Sequence, residues 1–248
     1  MACATCGAAL SGPFCSQCGQ RVRPRLTLGG VAREAVQHVL SLDSGLLRTA
    51  VDLARRPAGL ITDVLAGRTV RYAGPVRYFL VAVTAAQVLS LVLGDVSGMA
   101  DSYAEGYEGA DAGAVDRERV ALNIERFWVF AFVGLVPFVV LWSRLLLRRA
   151  GLTLAEHAAV HLYLLGQVAL GVGLSVGLGE VAYEAVGDPA NFLGLLLLLG
   201  PFGLYLWASV GVFGRGRAWS PAAMALSLVL GLFTYMAAGT FVSIGLSR

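Results

Sequence analysis

Two short runs of the 248-residue chain carry residue types whose spacing could do chemistry. The first pairs Cys3-Ala-Thr-Cys6 with Cys15-Ser-Gln-Cys18, and each pair is followed by a glycine, Gly7 or Gly19. A C-x-x-C knuckle turns both sulfurs toward one point, and the glycine lets backbone amides approach them. Two knuckles supply four thiolates, the donor set of a tetrahedral structural site. Cys3, Cys6, Cys15 and Cys18 are therefore the candidate metal ligands and zinc the expected ion, with disulfides as the competing use of the thiols. Residues 1–20 have neither a basic n-region nor a continuous apolar h-region. Without export the thiols stay reduced, which favours metal. So short a segment buries almost no core, and the ion would supply its folding energy. The segment contains no Arg, Lys, Asp or Glu, so it lacks phosphate-binding groups and no nucleic-acid partner is expected.

The second run is Glu156-His157-Ala-Ala-Val-His161. Histidines four residues apart share one helix face, as they do in metal-binding helices. The glutamate precedes the pair, unlike the H-E-x-x-H order, and no third ligand is evident nearby. Glu156, His157 and His161 are thus the weak candidates for catalysis or metal chemistry. The plain alternative is a polar pair that hydrogen-bonds across helices or to headgroups. All 19 basic residues are arginine, which removes lysine Schiff-base chemistry. Walker, G-x-S-x-G and dinucleotide fingerprints are absent, and an enzymatic role is not expected.

Composition defines the elements that must hold these residues. The chain is 57% hydrophobic and only 14% charged, against about 25% charged in a soluble domain. Five apolar stretches, 78–94, 127–147, 157–179, 192–213 and 222–245, all meet the roughly 20 residues a span requires, the first being the shortest. Arg68, Arg71 and Arg77 precede the first stretch, Arg144, Arg148 and Arg149 end the second, and Arg215 and Arg217 end the fourth. Acidic connections alternate with these, from Asp95 to Glu125 and at Glu180, Glu184 and Asp188. The positive-inside rule then predicts a cytoplasmic N-terminus and an external C-terminus in a bacterial inner membrane. Three parts are expected: a zinc ribbon at 1–20, a basic linker with amphipathic juxtamembrane helices at 21–77, and transmembrane helices at 78–248. The fold class is an all-α integral membrane bundle of about five spans.

Within the middle part, Arg21, Arg23 and Arg25 form the linker, and a stripe from Leu28 to Leu40 marks one amphipathic helix. A second helix begins near Asp43 or Ser44 with Leu46, Leu47, Ala50 and Val51 as its apolar stripe, and a third begins at Pro57 and stops at Gly67. Arg55, Arg56, Arg68, Arg71 and Arg77 are the candidate membrane-surface or partner contacts, each cation contributing about 1 kcal/mol near an anionic leaflet. Plain topology anchoring is the other use of these charges. Tyr72, Tyr78 and Phe79 suit an interfacial aromatic belt. The third stretch holds Gly166, Gly171, Gly173 and Gly177, suited to close helix packing or to a homo-oligomer. Pro137 and Pro201 mark expected kinks. No charged residue sits in the middle of any stretch, with Gln87, Gln167 and Thr234 the notable polar groups there. That disfavours an ion-coupled permease.

The order of motifs resembles a bacterial family of unknown function that joins a zinc ribbon, a juxtamembrane segment and several membrane helices. The resemblance is carried by Phe14-Cys15-x-x-Cys18-Gly19-Gln20, Leu42-Asp43-x-Gly45, Thr49, Arg56-Pro57-x-Gly59 and Gly67-Arg68-x-Val70-Arg71-Tyr72-x-x-Pro75, with Glu156-His157 further on. It covers roughly residues 1–80 and implies architecture and zinc, but no reaction. The function expected is a non-enzymatic adaptor or sensor that engages membrane lipids or a cytosolic protein partner. A permease or lipid-handling protein with the ribbon as a regulatory cap is the rival, and an intramembrane metalloenzyme the weaker one.

Overall fold

The computed structural model describes residues 2–19, 44–93, 117–186, 189–213 and 220–246. The linker arginines Arg21, Arg23 and Arg25, the stripe from Leu28 to Leu40, the acidic connection from Asp95 to Asp116, Asp188, and Arg215 with Arg217 lie outside those residues. Among the described residues the chain is all-helical, with one isolated antiparallel bridge, Ala2 to Ala9, in the cysteine segment. The helices are α1 (Ser44–Arg55), α2 (Pro57–Leu65), α3 (Pro75–Leu93), α4 (Arg117–Leu146), α5 (Leu154–Val186), α6 (Pro189–Val212) and α7 (Ser220–Leu246).

The helix starts follow from the sequence. Proline opens α2, α3 and α6, where a missing N–H costs nothing and the fixed φ already suits a helix. α2 ends as predicted at Gly67, whose φ is +84°. The Arg68 N–H donates to Asp63 C=O (2.9 Å) and the Gly67 N–H to Val64 C=O (2.9 Å), which is a Schellman cap. The Arg68 guanidinium then closes on the Asp63 carboxylate at 2.6 Å.

The chain divides into two compact units, the first made of Met1–Val81, Leu135–Gln167 and Gly203–Arg248, the second of Ala82–Gly134 and Val168–Phe202. In the first, α1 and α2 bury Leu53, Leu60, Ile61 and Val64. The leucine–valine edge of the stripe expected on α1 faces outward rather than into the core: Leu47 is 74% exposed and Val51 40%, whereas Thr49 and Leu53 are fully buried. The reason is a backbone contact. A Cβ on Gly45 would lie 3.5 Å from the Ala73 nitrogen, and the Thr49 hydroxyl accepts from that N–H at 2.9 Å while donating to Gly45 C=O at 2.6 Å. α1 therefore docks through glycine and threonine, and its leucine–valine edge faces outward.

Tyr78 and Phe79, expected at an interface, are each 2% exposed. They form core: Tyr78 packs against Tyr163 with ring centroids 5.8 Å apart and its hydroxyl donates to Gln167 Oε1. A Cβ on Gly166 would meet the Phe79 Cα at 3.2 Å. In the second unit, one on Gly171 would meet Pro201 Cγ at 2.3 Å and one on Gly173 the Ala86 backbone at 2.9 Å. These glycines thus serve close packing inside the chain.

Each of the five apolar stretches lies largely within one of the helices α3 to α7, which run for 19, 30, 33, 24 and 27 residues. Among the described residues, Leu154–Ser175 of α5 alone is long and apolar enough to cross a membrane, and 72% of it is buried. Pro75–Leu89, Phe132–Leu146, Leu199–Val212 and Ser220–Met236 are shorter apolar helical stretches.

Candidate metal centre

Both cysteine knuckles fold alike. Gly7 donates to Cys3 C=O and Gly19 to Cys15 C=O, each at 2.9 Å, and both glycines take left-handed φ values of 75° and 69°, which side chains with a Cβ rarely adopt. Cys3 donates to Ala8 C=O at 2.8 Å, closing the first knuckle on itself. The four sulfurs lie within 4.8 Å of one another, with Cys3 to Cys18 and Cys6 to Cys15 each at 3.5 Å. A disulfide would need about 2 Å. Four thiolates about 2.3 Å from one ion would stand roughly 3.8 Å apart, so the cluster has the dimensions of a tetrathiolate site. Cys3 and Cys15 are buried and Cys6 is exposed.

Local backbone favours the thiolates. The N–H groups of Cys6 and Thr5 lower the Cys3 thiol to about 6, and those of Cys18 and Gln17 lower Cys15. Cys3 and Cys15 are thus ready ligands, and the four residues can hold a metal ion.

Glu156 and the two histidines make their hydrogen bonds to different partners. Glu156 Oε2 accepts from the Thr153 N–H at 2.6 Å, and the Glu156 N–H donates to Thr153 Oγ1 at 3.3 Å. This is a capping box that starts α5. Thr153-Leu-Ala-Glu156 is its sequence signature, directly beside the histidine pair. His157 and His161 are fully buried on α5. The Nδ1 of His157 shares a 2.8 Å hydrogen bond with Ser143 Oγ, and the Nδ1 of His161 a 2.8 Å bond with the Tyr205 hydroxyl. Phe213 stacks on the His157 ring at 5.6 Å. Ser143 and Tyr205 carry no motif and lie on other helices, so only the fold identifies them.

The candidate surface arginines divide. Arg77 is buried at 7% exposure, so it is removed from any surface role. Arg56 donates to the Asp52 carboxylate at 3.0 Å and to the Tyr72 hydroxyl at 2.8 Å. Its hydrogen bond holds the Asp52 carboxyl below its ordinary range, and burial raises the Tyr72 phenol. Arg68 serves the α2 cap. Arg55 and Arg71 remain exposed, joined by Arg48 on the outer face of α1.

Residues 43–86 match the family described as Protein of unknown function (DUF3667). The matched segment runs through α1 and α2 and into α3, with Gly45, Thr49, Arg56, Pro57, Gly67, Arg68 and Tyr72 in bonding or packing roles. No curated protein and no solved structure matches the chain.

Proposed function

We propose that the chain is a zinc-binding integral protein of a bacterial inner membrane, acting as a non-enzymatic adaptor or sensor with a cytoplasmic ribbon and an external C-terminus. The observation that carries this reading is the cluster of four cysteine sulfurs, held in an uncharged segment chemically unlike the apolar helices. Borderline-soft zinc suits four thiolates, and the module's small size makes the ion its core.

Support for a lipid setting comes from the helices. Leu141 and Leu145 on α4 are 53% exposed, Trp207 on α6 58%, and Val229, Phe233 and Met236 on α7 62%, 71% and 61%. Water-soluble proteins seldom leave such apolar faces bare, and lipid covers them without cost. The whole-chain charge content of 14% points the same way. On this reading α3 to α7 supply the five spans, and the outward face of α1 lies at the inner leaflet.

The adaptor reading rests on a module that offers zinc-stiffened backbone and an exposed Phe14 (56%) to a partner. The test is quantitative mass spectrometry of proteins co-purifying with the detergent-extracted chain, with and without residues 1–20. Loss of a specific cytosolic protein on deletion supports the adaptor. An unchanged set of partners contradicts it.

A further inference from the structure

We propose that His157 and His161 form a second, exchangeable site for a divalent transition metal ion, inside the helical part and independent of the cysteines. The two imidazoles stand four residues apart on α5, both with no exposed surface. Each has its Nδ1 engaged by a hydroxyl from another helix, Ser143 of α4 or Tyr205 of α6, at 2.8 Å. Each Nε2 is buried with no hydrogen-bond partner.

Two orphaned ring nitrogens on one helix face are costly, because a buried polar atom without a partner loses its solvation and regains nothing. When the hydroxyls accept from Nδ1–H, both Nε2 atoms present lone pairs. That is the arrangement of ligating histidines, whose second nitrogen is held by an outer partner that fixes the tautomer and ring angle. Histidines at i and i+4 can bind one ion, and imidazole suits zinc and its neighbours in the first transition row. Glu156 is taken by the helix cap, so the protein supplies two neutral ligands and the remaining positions fall to water.

Electrostatics ranks the two sites. Four thiolates more than offset the charge of a dication, whereas two neutral imidazoles leave it uncompensated in a poorly solvated place. The histidine site therefore binds more weakly and gives up its ion first to a chelator. Such an ion is suited to being exchanged or sensed, rather than to holding structure.

The experiment is equilibrium dialysis of the full chain in detergent against zinc, with bound zinc counted per chain. The expected results are two ions for the parent, one for the quadruple C3S/C6S/C15S/C18S chain, and one for H157Q/H161Q. Tyr205→Phe keeps the count but weakens the second site about 10- to 100-fold, through loss of the outer partner. A parent that binds one ion, or a second ion that persists in H157Q/H161Q, overturns the proposal. If H157Q/H161Q does not fold, the quadruple cysteine chain decides: one ion weakened by Tyr205→Phe supports the site, and none overturns it. Buried water bridging the Nε2 atoms would give that second result.

Discussion

Four thiols of unequal acidity line the cysteine cluster, and the inequality can be measured. A lowered pKa means that the thiolate is already present above that value and is lost as pH falls through it. With Cys3 near 6 and Cys15 also lowered, zinc loading at pH 7 should release fewer than four protons per ion. A pH-indicator dye in weak buffer reads this directly, and four protons would contradict the assignment. Occupancy should then fall on acidification, as protons compete with the ion for the thiolates. Glu156 offers a sharper separation of roles. As the cap of α5, its change to Ala should lower stability by about 1 kcal/mol in denaturant titration and leave metal counts untouched. Loss of an ion in that variant would make Glu156 a ligand instead. The cysteines were legible because their chemistry is local and periodic. The histidines were legible only as a spacing, because Ser143 and Tyr205, which orient them, arrive through tertiary packing.

Glycine positions decide how the helices approach one another. Gly171→Ala would drive a methyl to 2.3 Å from Pro201 Cγ, and such overpacking costs about 1–3 kcal/mol. Gly203 has nothing within 4 Å of a Cβ, so Gly203→Ala should be neutral or stabilising by up to about 1 kcal/mol, as for any glycine in a helix. Thermal unfolding in detergent compares the two, and equal effects would refute the packing. Thr49→Val removes the acceptor for the buried Ala73 N–H and should cost about 1–3 kcal/mol. Helix positions and the Gly67 stop could be read from hydropathy, proline and glycine. The buried side of α1 could not. Its contact is made by Gly45 and Thr49 against backbone, and a rule that seeks leucine stripes selects Leu47 and Val51, the exposed edge. Tyr78 and Phe79 misled in the same way, since aromatics near a helix start suit a core as well as an interface.

Composition is what joins the parts into one protein. A chain with 57% hydrophobic residues and lysine-free basic clusters reads as membrane before any helix is placed, and its cysteine-rich head has a different composition. The span count was less legible, because hydropathy alone does not separate a lipid-facing helix from a buried one. Leu154–Ser175 is 72% buried, a property shared with core helices of soluble bundles. The test that bears most directly on the account is the chelator-resistant zinc content of the full chain taken from carbonate-washed membranes, for the parent and Cys15→Ser. The account predicts one tightly held ion in the parent and none in the variant, with both chains retained in the membrane and equally helical by circular dichroism. A chain that carbonate strips from the membrane, or a parent that holds disulfides and no ion, would contradict it.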